Sequence, residues 1–227
     1  MRVERFPDGS ASLLFRALGA GRGDVSVAGP RTRALFKNAP PSELAIAVQF
    51  KPGSALPVFG IPVNELTDRI VRLEAVWGDA AQPLLDAMLE TSDTKTILRA
   101  LEAALLARSR RTGESTSATL ARRAARLIAD RVQSTPMNDL AAELGVTARH
   151  LRRAFVETVG VGPKEFARMM RLQRVLRVAD TPNRSWSALA VEAGYYDQAH
   201  LIGEFRALVG TTPAAFSKRE PAPSLRW

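Results

Sequence analysis

Three arginines, Arg149, Arg152 and Arg153, stand at positions i, i+3 and i+4 of the run GVTARHLRRAFVETVG. That spacing puts them on one face of a helix and leaves Leu151, Ala154, Phe155 and Val159 on the other. The apolar face needs a core, so the arginines point outward together. A guanidinium fork can bridge O6 and N7 of guanine or pair with phosphate oxygens, so the chemistry on offer is recognition of nucleic acid. The competing reading is a merely solvated face, and the preceding residues argue against it. TPMNDLAAELG reads as a short helix with Thr135 as its cap, Pro136 in its first turn and Leu140, Ala141 and Leu144 on one side. Gly145 accepts the left-handed backbone that turns the chain sharply into the arginine-bearing helix, which Thr147 can N-cap. Helix, tight Gly turn and a second helix with a polar outer face form a helix-turn-helix unit, whose second helix enters the major groove of DNA.

The unit occurs twice. Leu140-Ala141 and Gly145 recur 49 residues later as Leu189-Ala190 and Gly194. His150-Leu151, Phe155, Gly160, Pro163 and Phe166 recur 50 residues later as His200-Leu201, Phe205, Gly210, Pro213 and Phe216. One extra residue therefore lies in the second turn. Between the copies, VGPKEFARMMRLQRVLRVAD reads as one helix opening at Pro163, with Phe166, Met169, Met170, Leu172, Val175, Leu176 and Ala179 as its apolar stripe. From residue 163 to 180 it rises about 27 Å, comparable with the ~34 Å turn of B-DNA, so one chain can hold two recognition helices in successive major grooves. Its outer side carries Lys164, Arg168, Arg171, Arg174 and Arg177, which either touch phosphates or keep the helix soluble.

The outward faces of the two copies differ. Ala199, Ile202 and Gly203 stand where Arg149, Arg152 and Arg153 stand in the first. Gln198 can still bond adenine, and Ala199 or Ile202 can meet a thymine methyl. Gly203 offers nothing to read and weakens the helix by roughly 1 kcal/mol relative to Ala. The first unit is thus expected to discriminate bases and the second to position the chain, with Arg206 on phosphate.

Residues 117–218 closely resemble the DNA-binding domain of the AraC/XylS family of bacterial transcription regulators. LAAELGVTARHLRRAFVETVGVGPKEFARMMRL and AVEAGYYDQAHLIGEFRALVGTTPAAF both follow the family pattern, the second being its signature region. The resemblance implies a paired helix-turn-helix fold, a linking helix and a role as activator or repressor. It also implies groove-facing positions at 149, 152 and 153, and at 198, 199, 202 and 203. Gly203 departs from the pattern, since such proteins commonly carry Arg there.

Other chemistries find little support. His150 and His200 are the only histidines, and the repeat sets them in different units beside buried leucines, so packing or phosphate contact is expected rather than a metal pair. Trp186, Tyr195 and Tyr196 read as core and turn packing rather than as base-stacking platforms. The absence of cysteine removes disulfides, zinc ribbons and thiolate catalysis, and with it the methyl-acceptor repair proteins that share this kind of DNA-binding unit. Residues 115–227 hold 17 Lys and Arg against 10 Asp and Glu, a net +7, whereas residues 1–114 carry +2. The excess sits where phosphate binding needs it. MRVERFPDGS lacks an apolar core and no run approaches the ~18 apolar residues of a membrane span, so a cytoplasmic protein of the bacterial nucleoid is expected.

The overall expectation is an α+β chain. A β-plus-helix regulatory or dimerisation domain over residues 1–110 is followed by a linker, 111–117, and an all-α double helix-turn-helix domain over 118–220. SLLFRAL, DVSVAG, RTRALF and LAIAVQF are β-prone; VNELTDRIVRL, GDAAQPLLDAMLET and TKTILRALEAALLAR are helical in pattern. The stretch from FPDGSASLLF to RIVRLEAVWG is similar to poorly characterised N-terminal domains of one group of AraC-type regulators. Those usually begin with additional strands, which implies a reduced cupin-like unit here, a ligand sensor or a docking or dimerisation module. Phe15, Phe36, Phe50, Phe59 and Trp77 either line an apolar ligand pocket or form a small core. Asp8, Asp24, Glu43, Glu65, Asp68, Glu74 and Asp79 read as solvated surface pairs. Ile97, Leu98, Leu101, Ala104 and Leu105 form a stripe suited to the β-unit or to a second subunit. This half holds no His and no Cys, and no phosphate loop, so neither an enzyme nor a resident cofactor is expected. The partners expected are double-stranded DNA, a small effector, a second copy of the chain and, for an activator, RNA polymerase. The alternative is a low-specificity architectural DNA-binding protein without an effector.

Overall fold

The computed structural model describes residues 2–113, 115–132, 135–178, 185–219 and 224–226, with the backbone alone described for Arg2, Thr112 and 224–226. Its class is α+β. A β-rich unit of two small sheets with helices leads into an all-helical half.

The strands are β1 (Arg2–Arg5), β2 (Ala11–Gly19), β3 (Arg22–Ala28), β4 (Leu35–Asn38), β5 (Leu44–Phe50), β6 (Ile70–Arg72) and β7 (Ser224–Arg226). One sheet has the order β5-β2-β3-β6, with all neighbours antiparallel. Period-two alternation sets its buried face. Leu13 and Phe15 of β2 register with Val27 and Val25 of β3, and all four are buried. The second sheet has the order β4-β1-β7, and β1 pairs antiparallel with β4 but parallel with β7.

Four helices cover the first sheet: α1 (Leu56–Phe59), α2 (Glu74–Trp77), α3 (Ala81–Leu89) and α4 (Thr94–Thr112). Phe50 and Phe59 meet edge to face at 5.0 Å, and the Trp77 indole N–H donates to the Val58 carbonyl at 3.0 Å, so the buried indole keeps a partner. Ile97 and Leu101 are buried in the same core, with Ala104 and Leu105 packed beside them. The α4 stripe thus serves the β-unit, while Leu98 and Leu106 remain exposed.

Three local expectations change. The run 63–73 is not one helix: Val63–Leu66 forms a single 3-10 turn, Asp68 takes a left-handed φ of 60°, and Ile70–Arg72 adds to the edge of β3. Two adjacent β-branched residues, Ile70 and Val71, favour that edge over a continued helix. In RTRALF only Leu35 and Phe36 are strand, because Arg31 and Thr32 bond Asp68 and the Ala34 N–H donates to the Leu208 carbonyl at 2.7 Å. Asp24 and Asp8 are not solvated surface groups. Asp24 is buried against the Arg16 guanidinium at 2.5 Å, and Asp8 accepts from the Ser10 N–H at 2.8 Å and from Gln49. Burial pushes the Asp8 carboxyl above its ordinary range.

The helical half comprises α5 (Thr116–Asp130), α6 (Met137–Glu143), α7 (Ala148–Val159), α8 (Pro163–Val178), α9 (Trp186–Ala193), α10 (Gln198–Val209) and α11 (Pro213–Ser217). Gly113 closes α4 and Ser115 N-caps α5, accepting from the Ala118 N–H at 3.4 Å. Two cores result. Leu140, Leu151, Phe155, Phe166 and Met169 fill the first, whereas Leu172, Val175, Leu189, Leu201, Phe205 and Phe216 fill the second. The stripe of α8 is shared between them, and Ala179 of that stripe lies outside the described residues.

The β-unit contacts both units of this half and the helix between them. Thr67 donates its hydroxyl to the Gly160 carbonyl at 2.7 Å at the end of α7, and Gln173 of α8 donates to the Pro7 carbonyl at 2.9 Å. Phe6 meets Phe216 edge to face at 5.5 Å and Phe36 at 5.8 Å. Buried Glu4 receives a bidentate pair from Arg219, whose guanidinium lies 3.5 Å from the Phe216 ring centroid. Gly160 has a φ of 90°, and a Cβ there would come within 2.5 Å of Pro30.

Candidate DNA-binding interface

The two turns share one hydrogen-bond pattern. At the end of α6 the Val146 N–H donates to the Ala141 carbonyl at 3.0 Å and the Gly145 N–H to the Ala142 carbonyl at 3.0 Å. At the end of α9 the Tyr195 N–H donates to Ala190 at 2.8 Å and the Gly194 N–H to Val191 at 3.0 Å. Both are Schellman closures that need a left-handed residue, and Gly145 (φ 70°) and Gly194 (φ 89°) supply it. The extra residue of the second copy is now located. Val146 leads directly to the N-cap Thr147, while Tyr195 is followed by Tyr196 before the N-cap Asp197. Tyr196 is 89% exposed rather than packed in the turn as expected, whereas Tyr195 is buried in the second core.

Thr147 accepts from the His150 N–H at 3.2 Å and starts α7 as expected. Thr135 does not cap α6. Pro136 occupies the N-cap position, and the Thr135 hydroxyl accepts instead from Arg131 at 3.2 Å. On α7, Leu151, Ala154, Phe155 and Val159 are all buried, while Arg149, Arg152 and Arg153 are exposed. Among the described residues these three arginines form no ion pair, so their donors are available to a ligand.

On α10, Gln198, Ala199, Gly203 and Arg206 are exposed and Ile202 is half-buried. A Cβ at Gly203 would meet nothing within 4 Å, so packing does not require glycine there. His200 is exposed, accepts the Tyr196 N–H at Nδ1 (3.3 Å) and stands edge-on to Tyr195 at 5.4 Å. Among the described residues no group of three or more His, Cys, Asp or Glu is placed to hold a metal ion.

The linking helix α8 has 16 residues, about 24 Å at 1.5 Å per residue. Its cations are largely committed inside the protein. Arg168 bonds Glu165 at 2.8 Å and clasps Glu204 of α10 with two bonds, 2.8 and 3.0 Å. Arg174 donates to the carbonyls of Ala129 and Arg131, at 2.7 and 2.5 Å, at the C-terminal end of α5. Arg171 lies 3.8 Å from Glu204, and Arg177 bonds the Gln173 carbonyl at 3.3 Å. Lys164 alone of the five is exposed with no hydrogen bond or ion pair among the described residues. Burial works against the Glu204 charge, but the bonds and charge of Arg168 and Arg171 hold its carboxyl below the ordinary range. These clasps join α5, α8 and α10, and thereby tie α10 to the first unit through the linking helix. Nothing in the spacing of α8 distinguishes a clasp from a phosphate contact, because Glu204 and the carbonyls lie far away in sequence.

Residues 140–219 match the family described as a helix-turn-helix domain. The C-terminal half carries an AraC-type helix-turn-helix domain. Residues 1–72 match a domain of unknown function, DUF6597. A probable bifunctional transcriptional activator/DNA repair enzyme AlkA of Mycobacterium tuberculosis is 36% identical over 101 residues, 44% of this chain and 20% of that protein. The chain thus spans about a fifth of the length of the curated relatives it matches. An AraC-type transcriptional regulator from Chromobacterium violaceum has 21% identity and a TM-score of 0.44, covering 48% of this chain and 99% of that one. ToxT from Vibrio cholerae has 10% identity and a TM-score of 0.49, covering 95% of this chain and 94% of its own.

The aromatic residues of the N-terminal unit separate into two groups. Phe15, Phe50, Phe59 and Trp77 lie in one packed core, whereas Phe36 stands on β4 against Phe6, beside the AraC-type domain. Among the described residues no helix is long and apolar enough to cross a membrane.

Proposed function

We propose that this chain is a sequence-specific transcription regulator that lays α7 and α10 in successive major grooves of one DNA duplex. The observation that carries the reading is the outer face of α7. Three exposed arginines with no ion pair among the described residues stand opposite a fully buried apolar face, on the second helix of an AraC-type unit. Arg149, Arg152 and Arg153 are assigned to base edges and flanking phosphates. Gln198, Ala199, Ile202 and Gly203 face the second groove with little to discriminate, and Arg206 is assigned to phosphate.

In the same reading residues 1–110 are the regulatory unit, residues 118–220 the reader, and the short connection at 111–117 divides them. The exposed Leu98 and Leu106 of α4 are the surface offered for self-association. A small effector bound by the N-terminal unit, and RNA polymerase for an activator, complete the partners.

The weak outer face of α10 favours the second reading, a low-specificity architectural protein. Selection of sites from random DNA followed by footprinting separates the two. A recovered motif with protection over two consecutive major-groove turns supports the regulator; uniform protection with no recovered motif refutes it.

A further inference from the structure

A cavity of about 270 Å³ lies among the end of α5, the start of α6, α7 and the first turns of α8. Five cations line it: Arg131, Arg152, Lys164, Arg171 and Arg174; among the described residues no carboxylate does. Its floor is apolar, formed by Ile128, Met137 and Leu140 with Ala167 at one wall.

The charges are only partly balanced from outside. Arg131 has the Glu143 carboxylate, bonded at 2.6 and 2.7 Å, and Arg171 has Glu204 at 3.8 Å. Arg174 donates from Nη2 to two neutral carbonyls and forms no ion pair among the described residues, the nearby Asp130 offsetting its charge only in part. Burial together with the nearby Arg177 and Arg171 depresses its pKa, as expected for a cation in a positive field. Lys164 and Arg152 form no ion pair among the described residues. The Nε of Arg171 is buried and has no hydrogen-bond partner among the described residues. Three of five cations are therefore unmatched around a small, half-apolar space. A buried donor without an acceptor and like charges held close together are both unfavourable, and an oxyanion relieves both at once.

We propose that this cavity binds an oxyanion, a phosphate or carboxylate group, carried on a small apolar body. The anion group meets Lys164, Arg171 and Arg174, and the body rests on Ile128, Met137 and Leu140. Arg152 lines both this cavity and the open cleft toward α10, so an occupant draws Arg152 away from DNA. The ligand acts on the reader itself, without passing through the N-terminal unit. Binding of the free anion does not depend on the regulator reading; its effect on DNA does.

The test uses the full chain with phenyl phosphate as probe and chloride at matched ionic strength as control, followed by calorimetric titration and thermal melting. Phenyl phosphate is expected to bind and raise the melting temperature where chloride does not. Lys164→Gln, at an exposed position, is expected to weaken it about tenfold, the loss of one charge-assisted bond. Ala167→Met keeps every charge and fills the cavity, and is expected to abolish binding. No binding beyond chloride overturns the proposal, as does full-strength binding to the Ala167→Met protein. It is equally overturned if phenyl phosphate fails to bind while Lys164→Gln lowers only the salt dependence of DNA binding, because the cations then seat a backbone phosphate.

Discussion

Gly203 is the position at which the two recognition helices differ most sharply in consequence, and it can be rewritten without disturbing the fold. It lies inside α10, it is exposed, and a Cβ would meet no atom within 4 Å. Gly203→Ala removes only the entropic penalty of an interior helical glycine, a gain of about 0.8–1 kcal/mol. For a chain of this size unfolding cooperatively, that corresponds to roughly 2–4 °C in Tm. Gly203→Arg keeps most of that gain and adds a guanidinium at the position matching Arg153. One new phosphate contact steepens the dependence of log affinity on log salt by about 0.9, and one base contact adds roughly 1–3 kcal/mol, a tenfold gain or more. The assays are circular-dichroism melting and DNA binding across a salt series, with Ala separating helix stability from contact. If Gly203→Ala lowers the Tm, the position is not open. If Gly203→Arg melts higher yet binds DNA with unchanged affinity and salt slope, residue 203 does not face the duplex and the assignment of α10 is refuted.

Arg153→Ala is expected to cost roughly 1–3 kcal/mol and to relax specificity at one base pair, whereas Ile202→Ala costs less; equal losses in binding to a selected site would remove the division of labour between the units. Phe155→Ala, which empties the centre of the first core, is expected to lose about 3–5 kcal/mol of stability by denaturant melting. Gly160→Ala puts a methyl against Pro30 at a left-handed φ, so the β-unit must shift, and limited proteolysis should then cut the chain near Gly113 faster. The Glu204 carboxyl is held below its ordinary range, so the stability it lends is present above pH ~4.3 and is lost as pH falls through its lowered value. Glu204→Gln should flatten that acid limb of a Tm-against-pH curve by about 1 kcal/mol or less, since the pair is partly exposed.

What the sequence revealed follows from the range of the interactions involved. The Schellman turns at Gly145 and Gly194, the Thr147 cap, and the buried faces of α7 and α8 are settled by neighbours within four residues, so periodicity and turn chemistry suffice. Thr135 failed as a cap because Arg131 takes its hydroxyl, a competition between groups of similar local reach. The run 63–73 failed because its second half pairs with β3, more than forty residues earlier in the chain. A far greater distance in sequence hid the pairing of β1 and β7, the short strands that join the two ends of the described chain. The candidate reading face was legible for the opposite reason: an exposed side chain with no internal partner carries its chemistry in its own identity. The clasps Arg168–Glu204 and Arg174–Ala129 were not, because a cation on a helix looks the same whether its partner is a phosphate or the protein.

Those clasps bear on how two units so unequal can act together. In the proposed reading, with three arginines in one groove and Ala199, Ile202 and Gly203 in the other, the chain gains little base discrimination from its second helix. It still gains register if the second helix is rigidly placed, because an ill-fitting groove then costs the whole chain its docking. Rigidity has two sources here. Arg168 ties α8 to α10 and Arg174 ties α8 to the end of α5, so the linking helix is bonded on both sides. The β-unit then bridges the same parts from behind, through Thr67 to the end of α7, Pro7 to α8, and Ala34, Phe6 and Glu4 to the second unit. A change in the β-unit that moves any one of these contacts alters the spacing between α7 and α10 rather than either reading face. That is where a signal received by the N-terminal unit would have to be spent.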